Sequence, residues 1–269
     1  MSAPEPEPEK LRLGGMALRN GLLVHGPTRW AVAVRTPGGE IRTASGAKPR
    51  FHGADDVPGL RGLARLAEAF AVIPLVKRAL PEVRLPFQDP GVLGMATGAA
   101  AAGSLLRRRP GLGADAAGAA VALAPAMFAL RGGELAAYHG VEHKAIAAYE
   151  EDEADAADAA KEHDRCGSNL VAPMLAANVT GAALLRRVVQ RPGPLAGVAV
   201  ALGSMAAAVE VFAWSERHSG TRLARALRRP GYEIQRVLGT REPDERQLEV
   251  GQAALAEILR VEGAAGAAR

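Results

Sequence analysis

The stretch LAGVAVALGSMAAAVEVFAW, residues 195–214, decides the fold class, because its twenty positions carry a single charged side chain, Glu210. An α-helix needs about 20 apolar residues to cross the hydrocarbon of a bilayer. Working outward, three further apolar segments have the same character: 91–106, 112–130 and 170–185. Two of the four reach spanning length and two, at 16 residues, fall short. The first contains Gly94 and Gly98 at the small-xxx-small spacing that lets membrane helices approach closely where lipid gives no hydrophobic drive for association. A water-soluble bundle would need a polar face on every helix. Charge is instead gathered in Arg-rich turns at 107–109 and 186–187, with only Asp115 and Glu210 inside the segments. The expectation is a mainly α, membrane-embedded helical bundle of two to four spanning or re-entrant segments.

Composition agrees. Hydrophobic residues make up 48% of the chain and aromatic residues 4%, so close packing of small side chains must carry the helix contacts. Lys stands only at 10, 48, 77, 144 and 161, so Arg supplies 28 of the 33 basic residues. No basic stripe is interleaved with Phe or Tyr, so nucleic acid is not an expected partner. One cysteine, Cys166, excludes an intrachain disulfide. Between the second and third apolar segments, ten acidic residues face four basic ones. If all four segments span, both Arg turns lie on the face opposite this acidic loop, and the positive-inside rule puts those turns in the cytoplasm. That would export both termini, although no secretory signal precedes them. Re-entrant short segments remove the conflict.

Four regions follow along the chain. Residues 1–12, an alternation of Pro and Glu, read as a disordered tail. Residues 13–88 read as a small α+β region. In it the β-branched run Trp30–Val34, followed by Thr36-Pro37-Gly38-Gly39, signals a hairpin, and apolar positions from Leu60 to Leu75 recur at helical spacing. The bundle occupies 91–214. Residues 215–269 read as a soluble helical segment, with a basic amphipathic stretch at 221–229 and a last helix opened by Asp244 as N-cap.

The chemistry is concentrated in His139-Gly-Val-Glu142-His143. On a helix this spacing puts the two imidazoles on one face, one turn apart, able to share a metal ion. Glu142 beside the second imidazole can take a proton from a water that the metal polarises. A third ligand would leave one coordination position open. Glu210 comes first, since an ionisable group inside an apolar segment needs a partner; Glu150, His163 and Cys166 are the other candidates. The bland alternative makes His139 and His143 interfacial residues at a helix end. His25, His52 and His218 carry no pattern and read as surface or packing residues.

Five blocks in one order resemble an uncharacterised bacterial and plastid family, domain of unknown function 1385, the YqhQ-like proteins. They are Gly14-Gly15 through Gly26-Pro27 and Ala31–Arg35; Tyr138–Lys144; Tyr149-Glu150; His163–Gly167; and Thr240–Asp244. The resemblance implies a metal-dependent membrane enzyme in a bacterial cell membrane, its reaction unknown. Asn20 and His25 stand where the family carries Glu and Arg, and Asp164 and Ser168-Asn169 replace Pro and Thr-Ser. If those N-terminal positions assist catalysis, this member is altered. The expected cofactor is a divalent metal, zinc first. The expected function is hydrolysis by His139, His143 and Glu142 with Glu210, His163 or Cys166 completing the site; the alternative is a membrane scaffold with a structural metal or none. The expected partners are the lipid bilayer and a substrate the residues do not identify, and homo-oligomerisation stays open.

Overall fold

A computed structural model describes residues 10–51, 53, 60–106, 109, 111–131, 133–152, 156–189 and 193–267. Residues 1–9, most of the expected tail, lie outside this set, as does His52. Lys10 and Arg12 are held: the Lys10 Nζ donates to the Glu150 carbonyl at 2.8 Å, and Arg12 reaches both Glu216 carboxylate oxygens at 2.9 Å.

The N-terminal region is larger than one hairpin. Four antiparallel strands, β1 (Gly14–Leu18), β2 (Gly21–His25), β3 (Arg29–Arg35) and β4 (Ile41–Ala47), form a meander in sequence order. The Pro-Gly-Gly turn joins β3 to β4, with Gly39 at φ +89°, a left-handed conformation that glycine adopts without a steric penalty. Both faces of the central strands are apolar because both are covered. One face carries Leu18, Leu23, Trp30, Val32 and Val34 and packs on α1 (Leu60–Ala79) through Val72 and Val76. The other, with Leu22, Val24, Ala31 and Ala33, packs on α4 (Glu134–Glu151) and α8 (Glu245–Ala267).

The apolar segments are helices α2 (Pro90–Leu106), α3 (Leu112–Leu130), α5 (Val171–Val188) and α6 (Pro194–Arg217). Three are long and apolar enough to cross a membrane: Leu112–Leu130, Gly167–Val188 and Leu195–Arg217, the second including the 3₁₀ turn before α5. Pro90–Leu106 is shorter. Their large side chains point outward: α3 buries none of its described residues, and Leu105, Leu112, Leu184, Leu195, Val198 and Leu202 are exposed. An apolar surface of this extent is not left to water in a soluble monomer. Asp115, in the first turn of α3, pairs with Arg186 near the end of α5, so these termini share one end of the bundle. The polar elements α4 and α7 (Arg222–Ile234) follow the ends of α3 and α6, at the opposite end.

Helix α8 docks on the sheet through Val250, Ala254 and Ile258, all fully buried. It starts as the residues dictate. Asp244 Oδ1 accepts from the Gln247 N–H at 2.8 Å, and Gln247 Oε1 accepts from the Asp244 N–H at 3.0 Å, a reciprocal capping box. Near its other end, buried Glu262 accepts from the N–H groups of Thr28 and Arg29, each at 2.7 Å, tying the helix to the β2–β3 turn. We expect Asp244→Ala to lower stability by about 1 kcal/mol, with Asp244→Asn recovering most of it. The thermal unfolding midpoint of detergent-solubilised protein reads this.

Candidate metal centre

Helix α4 is polar in sequence yet mostly buried, including His143, 2% exposed, and Lys144, 4% exposed. Its lysine and its two histidines are each met by a specific backbone partner. The Lys144 Nζ donates to the carbonyls of Ala157 and Ala159 at 2.8 and 2.7 Å and pairs with Glu242 at 2.7 Å. His139 donates from Nδ1 to the Gly239 carbonyl at 2.7 Å, and His143 from Nδ1 to the Lys161 carbonyl at 2.6 Å. A carbonyl only accepts, so both rings carry a proton on Nδ1 and leave Nε2 to face another partner.

Those Nε2 atoms converge. His139, His143 and Cys166 each bring one donor atom within 4.8 Å of the others, and the Cys166 Sγ is 3.4 Å from His139 Nε2. With metal–nitrogen bonds of about 2.0–2.1 Å and a metal–sulfur bond of about 2.3 Å, donors in a tetrahedral site lie roughly 3.5 Å apart. The His143 Nε2 is buried without any hydrogen-bond partner among the described residues. A buried polar atom of this kind ordinarily has one. Orphaned nitrogen, donors within 4.8 Å of one another and a two-nitrogen, one-sulfur donor set all suit a metal ion, and the cluster could hold one.

Electrostatics favour a neutral His143 ring. Burial holds His143 well below the usual imidazole range, and the neighbouring His139 lowers it further. Burial pushes the Cys166 thiol up. Glu142 leans on the sheet, where a Cβ on Gly15 of β1 would sit 2.5 Å from its Cγ; only glycine leaves room for that carboxylate. Burial raises Glu142 to about 7 against the opposing pull of His139, and the Ala17 N–H also bonds the charged form.

The other expected ligands are not brought into the cluster. His163 accepts the Arg165 N–H on Nδ1 at 3.3 Å and turns Nε2 toward Glu150 at 3.4 Å, so its lone pair is used. Glu150 is taken by that histidine and by Arg165. Glu210 lies half-buried on α6, one residue from the Val209 that packs on Gly62 of α1, and its carboxylate is not among the converging donors. His218 stacks on Trp214. Asn20, where the resemblance expects Glu, spends its side chain on backbone: it donates to the carbonyls of Arg35 and Glu82 and accepts from the Arg84 N–H.

Residues 134–261 match the family model described as a protein of unknown function, DUF1385. Those residues are similar to that family. No curated protein and no solved structure matches the chain. The DUF1385 stretch contains all three converging donors and both carbonyls that orient the rings, and its Thr240–Asp244 block has a visible task. The Arg241 N–H bonds the Ala136 carbonyl at 2.9 Å, and the Arg241 carbonyl lies where a Cβ on Gly140 would be, which places the Gly239 carbonyl over His139. Sequence reading missed Gln235, 1% exposed, which accepts the His163 N–H and donates to Ser168, bracing the turn that carries Cys166. Nothing in an isolated Gln signals such a role.

We expect Gly15→Ala to overpack the site and lower stability by about 1–3 kcal/mol, and Gly15→Ala/Glu142→Ala to be more stable than the sum of the two single changes. Thermal unfolding of the four proteins of this cycle checks it.

Proposed function

We propose that this chain is a multi-spanning membrane protein and a metal-dependent hydrolase, with zinc held by His139, His143 and Cys166. The observation that carries the reading is the pair of imidazoles locked with Nε2 facing a thiol, one of those nitrogens being buried with no other partner among the described residues. Two imidazoles and a thiolate suit zinc, whose softness accommodates sulfur. Among the described residues the cluster has three donors, as in catalytic zinc sites; structural sites are closed by four protein ligands.

A metal held by His139, His143 and Cys166 would supply Lewis acidity toward a water and the group attacked. This chain's residues do the rest. The Gly239 and Lys161 carbonyls fix ring tautomer and orientation, as outer-shell partners of ligating histidines do. Cys166 would bind such a metal as its thiolate, its proton released to solvent. Glu142, placed by Gly15 and the Ala17 N–H, accepts a proton on its carboxylate from the attacking water and returns it to the leaving group. Support for a membrane setting is the apolar exterior of α3, α5 and α6.

We expect about one metal per chain by elemental mass spectrometry. His139→Ala, His143→Ala and Cys166→Ser should each lower that content and Glu142→Gln should leave it intact. Cobalt loading should produce a thiolate-to-metal absorption band that Cys166→Ser abolishes. Metal retained by Cys166→Ser with an unchanged cobalt spectrum would remove Cys166 from the site. A four-ligand cobalt spectrum that no added anion perturbs would favour a structural metal in a membrane scaffold.

A further inference from the structure

A second site lies on the other side of the strand that supports Glu142. A cavity of about 400 Å³ is lined by Arg12, Gly14, His25, Lys48, Arg50, Arg65 and Glu68, among others. Four cationic side chains face one carboxylate there among the described residues. Gly14 pairs with His25 across β1 and β2, so both lie on the same face of the sheet. A Cβ on Gly14 would meet nothing within 4 Å; the space above it is open. The adjacent Gly15, also in the lining, faces the opposite way, toward Glu142.

The polar groups of this cavity are unequally engaged. Arg12 is turned to Glu216, Glu68 accepts the Phe51 N–H at 2.7 Å, and Arg50 makes one long bond to the Pro27 carbonyl at 3.3 Å. His25 is 8% exposed, and neither ring nitrogen has a partner among the described residues. Whichever tautomer it adopts, the ring carries an N–H donor left unspent inside a protein. Lys48, half-buried beside it, makes no side-chain hydrogen bond or ion pair among the described residues, and burial lowers its pKa. An unspent histidine N–H and a half-buried ammonium that feels Glu68 and Glu262 only through space, with a guanidinium next to them, suit an anion with several oxygens.

We propose that this cavity binds a phosphate group, its oxygens taking the His25 N–H, the Lys48 ammonium and the Arg50 guanidinium, with room left for the organic part that carries it. Phosphate suits the set better than a carboxylate, since its oxygens point in more directions than a planar pair. Its source is either a soluble phosphorylated compound or a lipid headgroup. One wall, α1, brings Arg65 and Glu68 to the cavity and also packs on α6 through Gly62 against Val209, which places the cavity beside the apolar helices. The proposal stands independently of the metal.

The test uses the full chain purified in detergent. Inorganic phosphate and glycerol phosphate are titrated calorimetrically against chloride, and binding of phosphatidic acid is compared with that of phosphatidylcholine in nanodiscs. We expect phosphate-class binding that weakens about tenfold in Lys48→Gln, the loss typical of one charge-assisted hydrogen bond. Gly14→Leu, which fills open space without straining the backbone, should abolish it while leaving circular dichroism and metal content unchanged. His139→Ala/His143→Ala should bind as the wild type does. Saturation by glycerol phosphate identifies a soluble ligand, and selective capture of phosphatidic acid identifies a headgroup. Absence of binding in every arm overturns the proposal. Binding that Lys48→Gln and Gly14→Leu both leave intact overturns it as well, and its loss in the double histidine variant would assign the anion to the metal centre.

Discussion

Burying helix α4 is the constraint on which the rest of this molecule depends. The helix brings a lysine and a histidine out of water and half-buries a second histidine, and a buried polar group without a partner is far costlier than an ordinary hydrogen bond is favourable. The chain meets this demand with backbone carbonyls from distant segments: Ala157, Ala159 and Lys161 from one loop and Gly239 from another. Each bond also restricts the geometry of its side chain. The satisfaction of a buried polar helix and the alignment of two imidazole Nε2 atoms are one set of contacts.

The surrounding architecture follows. The sheet and α8 cover α4 from one side, and α8 stays in place through its capping box, its apolar stripe and the Glu262 tie. Gly15, Gly140 and Gly251 mark where backbone or side chains come too close for a Cβ: against Glu142, Arg241 and Val141. The bundle takes no part in this polar network beyond setting where α4 begins and where the Cys166 turn ends. Its helices expose apolar side chains outward and join their far ends with an Asp115–Arg186 pair.

The blocks that resembled DUF1385 in sequence are spread from Gly14 to Asp244, yet several of them meet around one cluster. Tyr138–Lys144 carries two donors, His163–Gly167 the third, and Thr240–Asp244 positions the carbonyl that orients His139. Gly14-Gly15 makes room for Glu142 and also borders the basic cavity. Tyr149 accepts the Leu11 N–H, and Glu150 occupies His163. Two departures from the family pattern have separate consequences: Asn20 latches backbone, and His25 lines a cavity with its nitrogens unused by the described residues.

The sequence by itself determined the apolar helices, the Pro-Gly-Gly turn, the Asp244 cap and the His139–His143 face, because each is a local matter of spacing, length or turn chemistry. It also exposed Cys166 as a candidate. It favoured Glu210 over that cysteine on sound local grounds, since a carboxylate in an apolar segment demands a partner. Only the tertiary structure decided which donors converge. That choice depends on hydrogen bonds between residues up to a hundred positions apart: the Gly239 carbonyl holding His139, and the Arg165 N–H and Glu150 carboxylate engaging His163. No periodicity encodes a backbone carbonyl arriving from another part of the chain. The same reason hid Gln235 and the cavity at Gly14, whose meaning arises only where strands, helices and loops meet.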